Sequence, residues 1–556
     1  MAVEVPKLPY ILPLPLPDDV LKELVEKTKD WALMHGAAMR SKTNFSQDSL
    51  NFAPFVLLPS AFPRKEFYKA VELQQILNEL MHRVAHNREF LTESLKETIQ
   101  VDEFTGNLFK IYETVQDEGV TQPISLGLLR SDIMLETACP VPGKNCHRHP
   151  PYCCWKQVEI NCIASGFGWL GPASAVIQRC VRRKENGLHG FQLCFQRISL
   201  GLLRSDYMVH TNVKGKIKQV EINTIASSFA GIGTRVLHFN RFVLQELDRH
   251  EMLANLPENN ALEGLCSGML EAWKIYGDPK AAILFIVEDV TYNICDQRFH
   301  EFELRRLNPY LKVLRRTLTD IADRATLGAD NELLIDDYVV SVVYYRAGYE
   351  PGHYHSQREW DARLLIERSQ AIKSPSIHYH LAGTKKVQQA LARPGAVEMF
   401  LGEASKIEAV KEIFTGLYSL DFDEFGDQAV QMALDSPDRF VLKPQREGGG
   451  NNIYGKDVRD AILRMKDSRE RTAWILMERI NPPLSTGYIV RPGGPDIPDL
   501  VDLVSELGIF GVIIGDSTKI FTNRQVGHML RTKISTANEG GVAAGLGALD
   551  SPYLID

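Results

Sequence analysis

The sequence lacks a surplus of positive charge. Its 63 Lys and Arg stand against 70 Asp and Glu, a formal net charge of −7, which disfavours a broad nucleic-acid-binding surface. It also lacks any apolar run near the ~18 residues a membrane span needs, so no membrane partner is expected. Cysteine is sparse, nine in 556 residues, and seven of them fall at 139–194. The opening MAVEVPKLPYILPLPLPDD has no basic start and is broken by prolines. It reads as an extended, polyproline-like lead-in and not as a secretory signal. The expectation is a cytoplasmic chain with reduced thiols. No G-x-x-x-x-G-K-[ST] loop occurs. GFGWLG at 166–171 follows a strand, but no amphipathic helix opens at its third glycine, so a dinucleotide fingerprint is set aside. Cys139, Cys146, His147, His149, Cys153 and Cys154 fit no standard zinc spacing.

What is present is ordinary globular composition, 44% hydrophobic and 24% charged, at a length of roughly two to four domains. One segment is duplicated. ISLGLLRSD occurs at 124–132 and again, letter for letter, at 198–206, and WKQVEINCIASGFGWLG (155–171) is echoed by IKQVEINTIASSFAGIG (217–233). Two copies are too few for a solenoid. Each reads as strand, loop, strand, with QVEIN alternating as a half-buried strand does. Upstream, DDVLKELVEKTKDWALMHG has an Asp cap and a glycine stop, and 65–97 is helical in pattern. AAILFIV (281–287) and YVVSVVYYR (338–346) are the short apolar runs of buried strands. Helical pieces fall near 358–372 and 384–392, and FVLK, WILMERI and GIFGVII are strands. The order predicts a mixed α/β (α+β) protein.

The densest chemical signal is FVLKPQREGGGNNIYG, 440–455. A strand delivers Lys443, a neutralising cation. Gly448, Gly449 and Gly450 let backbone N–H groups approach an anion. Glu447 and Asn452 are oxygen donors suited to Mg²⁺. In RTKISTANEGGVAAGLG (531–547), Arg531 and Lys533 share one strand face, and GGVAAG suits a loop that closes over a substrate. WILMERI offers backbone groups to an adenine edge, and Glu506 offers acceptors to ribose hydroxyls. Glu221 with Asn223, or Glu159 with Asn161, forms a carboxylate–amide pair on one strand face. Arg346 stands at a strand end, where Arg takes a carboxylate in two parallel hydrogen bonds.

Together these strings resemble eukaryotic-type glutathione synthetase, of the ATP-grasp superfamily. The matching runs are LGLLRSDYM, KQVEINTIASSF, NICDQR, YYRAGY, HLAGTKKVQQ, FVLKPQREGGGNNIYG, LMERI, SELGIFGV and GHMLRTK…GGVAAGLG, in order over roughly 20 to 554. The resemblance implies an ATP-grasp core with a lid plus a substrate-binding α/β domain. It implies a homodimer and the ATP-dependent joining of γ-glutamylcysteine to glycine. By the same resemblance 1–123 is the N-terminal helical part of the core and 124–197 a duplicated insertion. Residues 198–278 hold the site strands and helix of copy two, 279–395 the substrate-binding domain, and 396–556 the nucleotide-binding and lid region.

Residue by residue, it implies that Lys385 and Lys443 hold ATP phosphates and that Glu447, Gly448, Gly449, Gly450, Asn451, Asn452 and Tyr454 line the phosphate side. Met477, Glu478, Arg479 and Ile480 contact adenine, Glu506 the ribose side, and Lys533 and Glu539 the nucleotide. Glu221, Asn223 and Glu447 hold Mg²⁺. Arg204, Ile225, Ala226, Ser227, Ser228, Asn293, Gln297, Arg346 and Tyr349 hold γ-glutamylcysteine. Arg531, Val542 and Ala543 hold glycine, with Arg531 and Lys443 at the chemistry. A site with room for one copy leaves three arrangements: copy two throughout; copy one throughout, with Arg130, Glu159 and Asn161; or a hybrid of Arg130 with Glu221 and Asn223. Two other functions stay open, a ligase adding a different terminal amino acid and a chain inactivated by its duplication.

Overall fold

A computed structural model of the chain describes residues 5–41, 44–122, 129–136, 154–161, 199–210, 218–223, 228–445, 451–538, 542 and 547–556. The strand Leu500–Gly515 turns at Asp516, whose carboxylate accepts from the Thr518 hydroxyl and from the backbone N–H of Thr518 and Lys519 at 2.6–2.8 Å. The chain returns antiparallel as Ile520–Ile534, and this hairpin is the spine of a nine-stranded sheet. Along it, Leu507, Ile509 and Ile513 pack with Phe67, Leu73 and Leu77 of helix Arg64–Ala85. Phe510, Val512 and Ile514 pack on the other face, with Val236 of helix Ala230–Glu246 and Met269 of helix Ala261–Tyr276. A strand covered on both faces has no polar side to present, hence the unbroken apolar run GIFGVII. Gly511 sits at a register shift under Asn78 and Gln74, and a Cβ there would lie 2.3 Å from Asn78 Oδ1.

Beyond the hairpin the sheet takes strands from both copies of the repeat. Leu129–Glu136 pairs antiparallel with Leu500–Gly515, aligning Arg130 with Phe510 and Met134 with Glu506. Cys154–Asn161, Ser199–His210 and Lys218–Asn223 follow outward. In copy two, Arg204 is aligned with Asn223 and Asp206 with Glu221. The strand–loop–strand reading of each copy therefore corresponds to observed strands.

A second sheet has parallel strands Val313–Arg316, Ala282–Ile286 and Tyr338–Tyr345 side by side, with Ile372–Ser374 parallel to the last. A third, antiparallel sheet of Leu417–Ser419, Trp474–Glu478, Phe440–Pro444 and Ile453–Tyr454 carries helices Glu424–Asp435 and Lys456–Met465 over its own apolar core. Local differences from the sequence reading are small. The helical stretch 65–97 is two helices, Arg64–Ala85 and Arg88–Leu95, because Asn87 caps the second by accepting from Phe90 N at 2.8 Å. In the first helix, Asp18–Met34, Pro17 holds the cap position and both Asp18 and Asp19 fall in the first turn.

Candidate active site

The parallel strands end at one edge, and a cavity of about 420 Å³ opens there. It is lined by the segments that follow them, among them Glu288 and Asn293 after Ala282–Ile286, Thr317 after Val313–Arg316, and Arg346 and Tyr349 after Tyr338–Tyr345. Crevices at the carboxyl ends of parallel strands are the usual ligand sites of such sheets, because chain direction changes there and leaves backbone and loops uncovered.

Arg346 is the anchor. Its backbone N–H donates to Ile286 O at 2.7 Å, locking the strand end. Its guanidinium is buried; Nη2 donates to Asp296 Oδ2 at 2.8 Å and to Ser228 Oγ at 2.9 Å. Nε and Nη1 are buried and have no hydrogen-bond partner among the described residues. Leaving such donors unpaired costs free energy, about 1–3 kcal/mol for a neutral group and more for a charged one, so this half of the fork fits an anionic ligand. Asp296 also accepts from Gly231 N at 3.3 Å, in the first turn of helix Ala230–Glu246. Burial raises its pKa to about 6, with Arg346 pulling the other way. On the far side of Ser228 lies Arg204, fully buried, with Nη1 donating to Ser228 O at 2.6 Å and its guanidinium 5.7 Å from the Phe510 ring centre. Ser228 thus bridges two buried arginines through different oxygens.

Gln297 lies behind the wall, donating to Asn293 Oδ1 at 3.1 Å and accepting from Arg315 Nη2 at 2.7 Å. Arg315 is in turn held by Glu301 at 2.8 Å. At the cavity mouth the Tyr349 hydroxyl donates to Glu288 Oε1 at 3.0 Å. His353 Nε2 lies 3.3 Å from the same oxygen, and its Nδ1 accepts from Gly348 N at 3.1 Å.

A second group of expected residues gathers on the antiparallel sheet. Lys443, on strand Phe440–Pro444, and Lys385, opening helix Lys385–Leu391, are both almost wholly buried. Next to Lys385, Lys386 Nζ binds Asp421 at 2.7 Å and Ser419 Oγ at 2.9 Å, tying this helix to the small sheet. Met477 and Ile480 are buried, whereas Glu478 N already donates to Gly416 O at 2.8 Å and Arg479 N to Arg439 O at 2.7 Å. Two N–H groups of the expected adenine edge are therefore committed to the fold. Tyr454 OH accepts from Asn452 Nδ2 at 3.2 Å. On the hairpin, Glu506 faces Arg531 across the strands and the two form an ion pair. Lys533, two residues on, donates to Asn538 O at 2.5 Å. Val542 is buried.

Glu447, Gly448, Gly449, Gly450, Ile225, Ala226, Ser227, Glu539, Ala543 and the Cys/His group at 139–153 lie outside the described residues, as do the side chains of Glu221, Asn223, Arg130, Glu159, Asn161 and Cys154. Sequence reasoning missed Asp296, Glu288 and Lys386. Asp296 stands inside the NICDQR string already singled out. Lys386 likewise stands inside the HLAGTKKVQQ run, whereas Glu288 had no local signal, since it is defined by a partner 61 residues away.

A cavity at the carboxyl ends of a parallel sheet, with buried lysines on and beside a separate antiparallel one, goes with the framework of an ATP-dependent ligase, the class to which the relatives of this chain belong. Residues 18–193 and 189–554 each match the eukaryotic glutathione synthase ATP-binding domain, and the second match starts just ahead of the second repeat copy. The chain is 39% identical over 538 residues to glutathione synthetase of Xenopus laevis, covering 96% of this chain and 97% of that one. It is 39% identical over 537 residues to the Homo sapiens protein, at the same coverage. It is 35% identical over 558 residues to the chloroplastic glutathione synthetase of Solanum lycopersicum, covering 98% and 87%. The chain belongs to the eukaryotic glutathione synthase family. Its fold is similar to that of a glutathione synthetase-like effector from Globodera pallida solved in apoform, with a TM-score of 0.67 at 22% identity, covering 97% of this chain and 98% of that one. Among the described residues no helix is long and apolar enough to cross a membrane.

Proposed function

We propose that the chain joins γ-glutamylcysteine to glycine at the expense of ATP, giving glutathione, ADP and phosphate. The observation that carries this is the half-unpaired, buried Arg346 fork at the wall of the cavity, within a chain 39% identical to curated glutathione synthetases over nearly its full length. The cysteinyl carboxylate attacks the γ-phosphorus of ATP and ADP departs, converting a poor electrophile into an acyl phosphate. Glycine's amine then attacks the acyl carbon, phosphate leaves and the amine proton is lost. Positioning and fixed charge do most of this work. Lys385 and Lys443 take the transferring phosphates. Arg346, Ser228, Asn293 and Arg204 hold the donor, with Gln297 buttressing Asn293. Arg531 takes the glycine carboxylate, and the loop after it excludes water that would hydrolyse the acyl phosphate.

Mg²⁺ fits the donor set. Glu221 and Asn223 stand two apart on strand Lys218–Asn223 and so share a sheet face, and with Glu447 they supply hard oxygen ligands. Bound there, the ion would neutralise phosphate charge. Copy two supplies the substrate arginine, an assignment favoured by Arg204 reaching Ser228 and Phe510. The protein acts as a homodimer in the cytoplasm. The test is ADP release by the purified chain with γ-glutamylcysteine and glycine. Turnover confined to an acceptor other than glycine would replace the acceptor assignment, and no turnover with any acceptor would overturn the reaction.

A further inference from the structure

The cavity that Arg346 lines also carries acidic residues, Glu288, Asp289 and Glu350, to which no ligand has been assigned so far. Ile286 is aligned with Tyr345 on adjacent parallel strands, about 4.8 Å apart. Arg346 follows one residue after that pair and Glu288 two residues after the other, so Arg346, its guanidinium buried, and Glu288 line the same cavity from neighbouring strand ends. Arg346 keeps two buried donors without partners among the described residues, which calls for an anion. Glu288 is about a quarter exposed, and its orientation is fixed from two sides by the Tyr349 hydroxyl at 3.0 Å and His353 Nε2 at 3.3 Å. Asp289 and Glu350 add negative charge at the same mouth. A cation-seeking carboxylate beside an anion-seeking guanidinium is the arrangement that recognises an α-amino-acid head group.

Building on the function proposed above, we propose that Glu288 is the receptor for the α-ammonium of the γ-glutamyl donor, held in place by Tyr349 and His353 as positioning residues. Arg346 takes the α-carboxylate of the same head group. Glu288 then sets donor specificity. A donor that carries the ammonium is accepted, and one that lacks it leaves the carboxylate facing a bare methylene in place of a cation, a loss that discriminates more strongly than an apolar contact.

The test uses Glu288→Gln in the full chain, because glutamine keeps an acceptor for the Tyr349 hydroxyl and removes only the charge. The probes are γ-glutamylcysteine and N-glutarylcysteine, which differ by the α-amino group. The expected result is a KM for γ-glutamylcysteine raised about 10- to 100-fold with kcat and the KM values for ATP and glycine held within about two-fold. The KM for N-glutarylcysteine is expected to stay where it is in the unmodified protein. Calorimetric binding of γ-glutamylcysteine gives a second readout independent of turnover. A wild-type chain that binds the donor but never ligates it sinks the reaction and leaves Glu288 to be judged by its Kd. An unchanged ratio of the two donors' KM or Kd values in Glu288→Gln overturns the role of Glu288, whatever the state of the reaction. A wild-type chain that binds neither donor overturns both.

Discussion

Glu506 and Arg531 face each other across the long hairpin and close on one another as an ion pair. The sequence reading sent them to different ligands, Glu506 to ribose and Arg531 to glycine, and the fold makes them direct neighbours. If those roles hold, occupying one ligand site perturbs the residue of the other. Arg531→Ala is expected to raise the KM for glycine and Glu506→Gln the KM for ATP. The double variant should deviate from additivity by about 1 kcal/mol in kcat/KM, as contacting residues do. Strictly additive effects would mean the pair opens before either ligand binds.

The Arg346–Asp296 pair is buried on both sides. Removing one partner of such a pair leaves an uncompensated charge, at a cost of about 3–5 kcal/mol. Asp296→Ala is expected to lower the unfolding free energy by that amount, read from urea unfolding, as well as to damage donor binding. A variant of normal stability would show that Arg346 finds another counter-charge.

Lys443 lies within the strand Phe440–Pro444 but carries a charge into a nearly closed environment. Lys443→Met keeps the stem and removes the ammonium. Loss of turnover with an unchanged melting temperature supports a phosphate role, whereas near-normal kcat in the folded variant would remove Lys443 from the site.

The two repeat copies are separated by single substitutions. Glu221→Gln and Arg204→Ala are expected to abolish turnover, and Glu159→Gln and Arg130→Ala to spare it. The reverse pattern hands the site to copy one. Sensitivity at Arg130 and Glu221 together identifies the hybrid, which the pairing of Leu129–Glu136 with the hairpin makes structurally accessible.

Acid should unfold this protein early. Burial lowers the pKa of His82, His238, His300, His378, His380 and His528, to about 4 for His238 and about 3 for His300 and His528. The unfolded chain takes up these protons near pH 6.5 and the native chain does not. Stability is therefore full above that pH and lost as pH falls, by about 1.4 kcal/mol per pH unit for each such histidine. Asp296 and Asp550, raised by burial to about 6 and about 7, act in the opposite sense but are outnumbered. Unfolding between pH 6 and 4.5 is expected to consume protons, and His238→Gln to lower that uptake by about one. A stability profile flat in this range would contradict the neutral-histidine assignment.

The strands were legible because their patterns are local. AILFI is apolar along its length because it is buried along its length, and QVEIN alternates because a strand's side chains do. The glycine-rich run after Lys443 is read as an anion site because glycine permits a close backbone approach, and its glycines lie outside the described residues. The duplication was visible letter by letter, and with it the fact that one site has two sets of candidate ligands. What remained for the tertiary structure were relations between distant positions. Arg346 meets Asp296 and Ser228 across 50 and 118 residues. Tyr349 finds Glu288 61 residues away. Glu506 and Arg531 become partners only because the hairpin register opposes them. Sequence patterns report which face of an element is buried, since that is fixed by the period of the backbone. They do not report which side chain of another element will stand opposite, because that depends on packing angles and register set by the whole core.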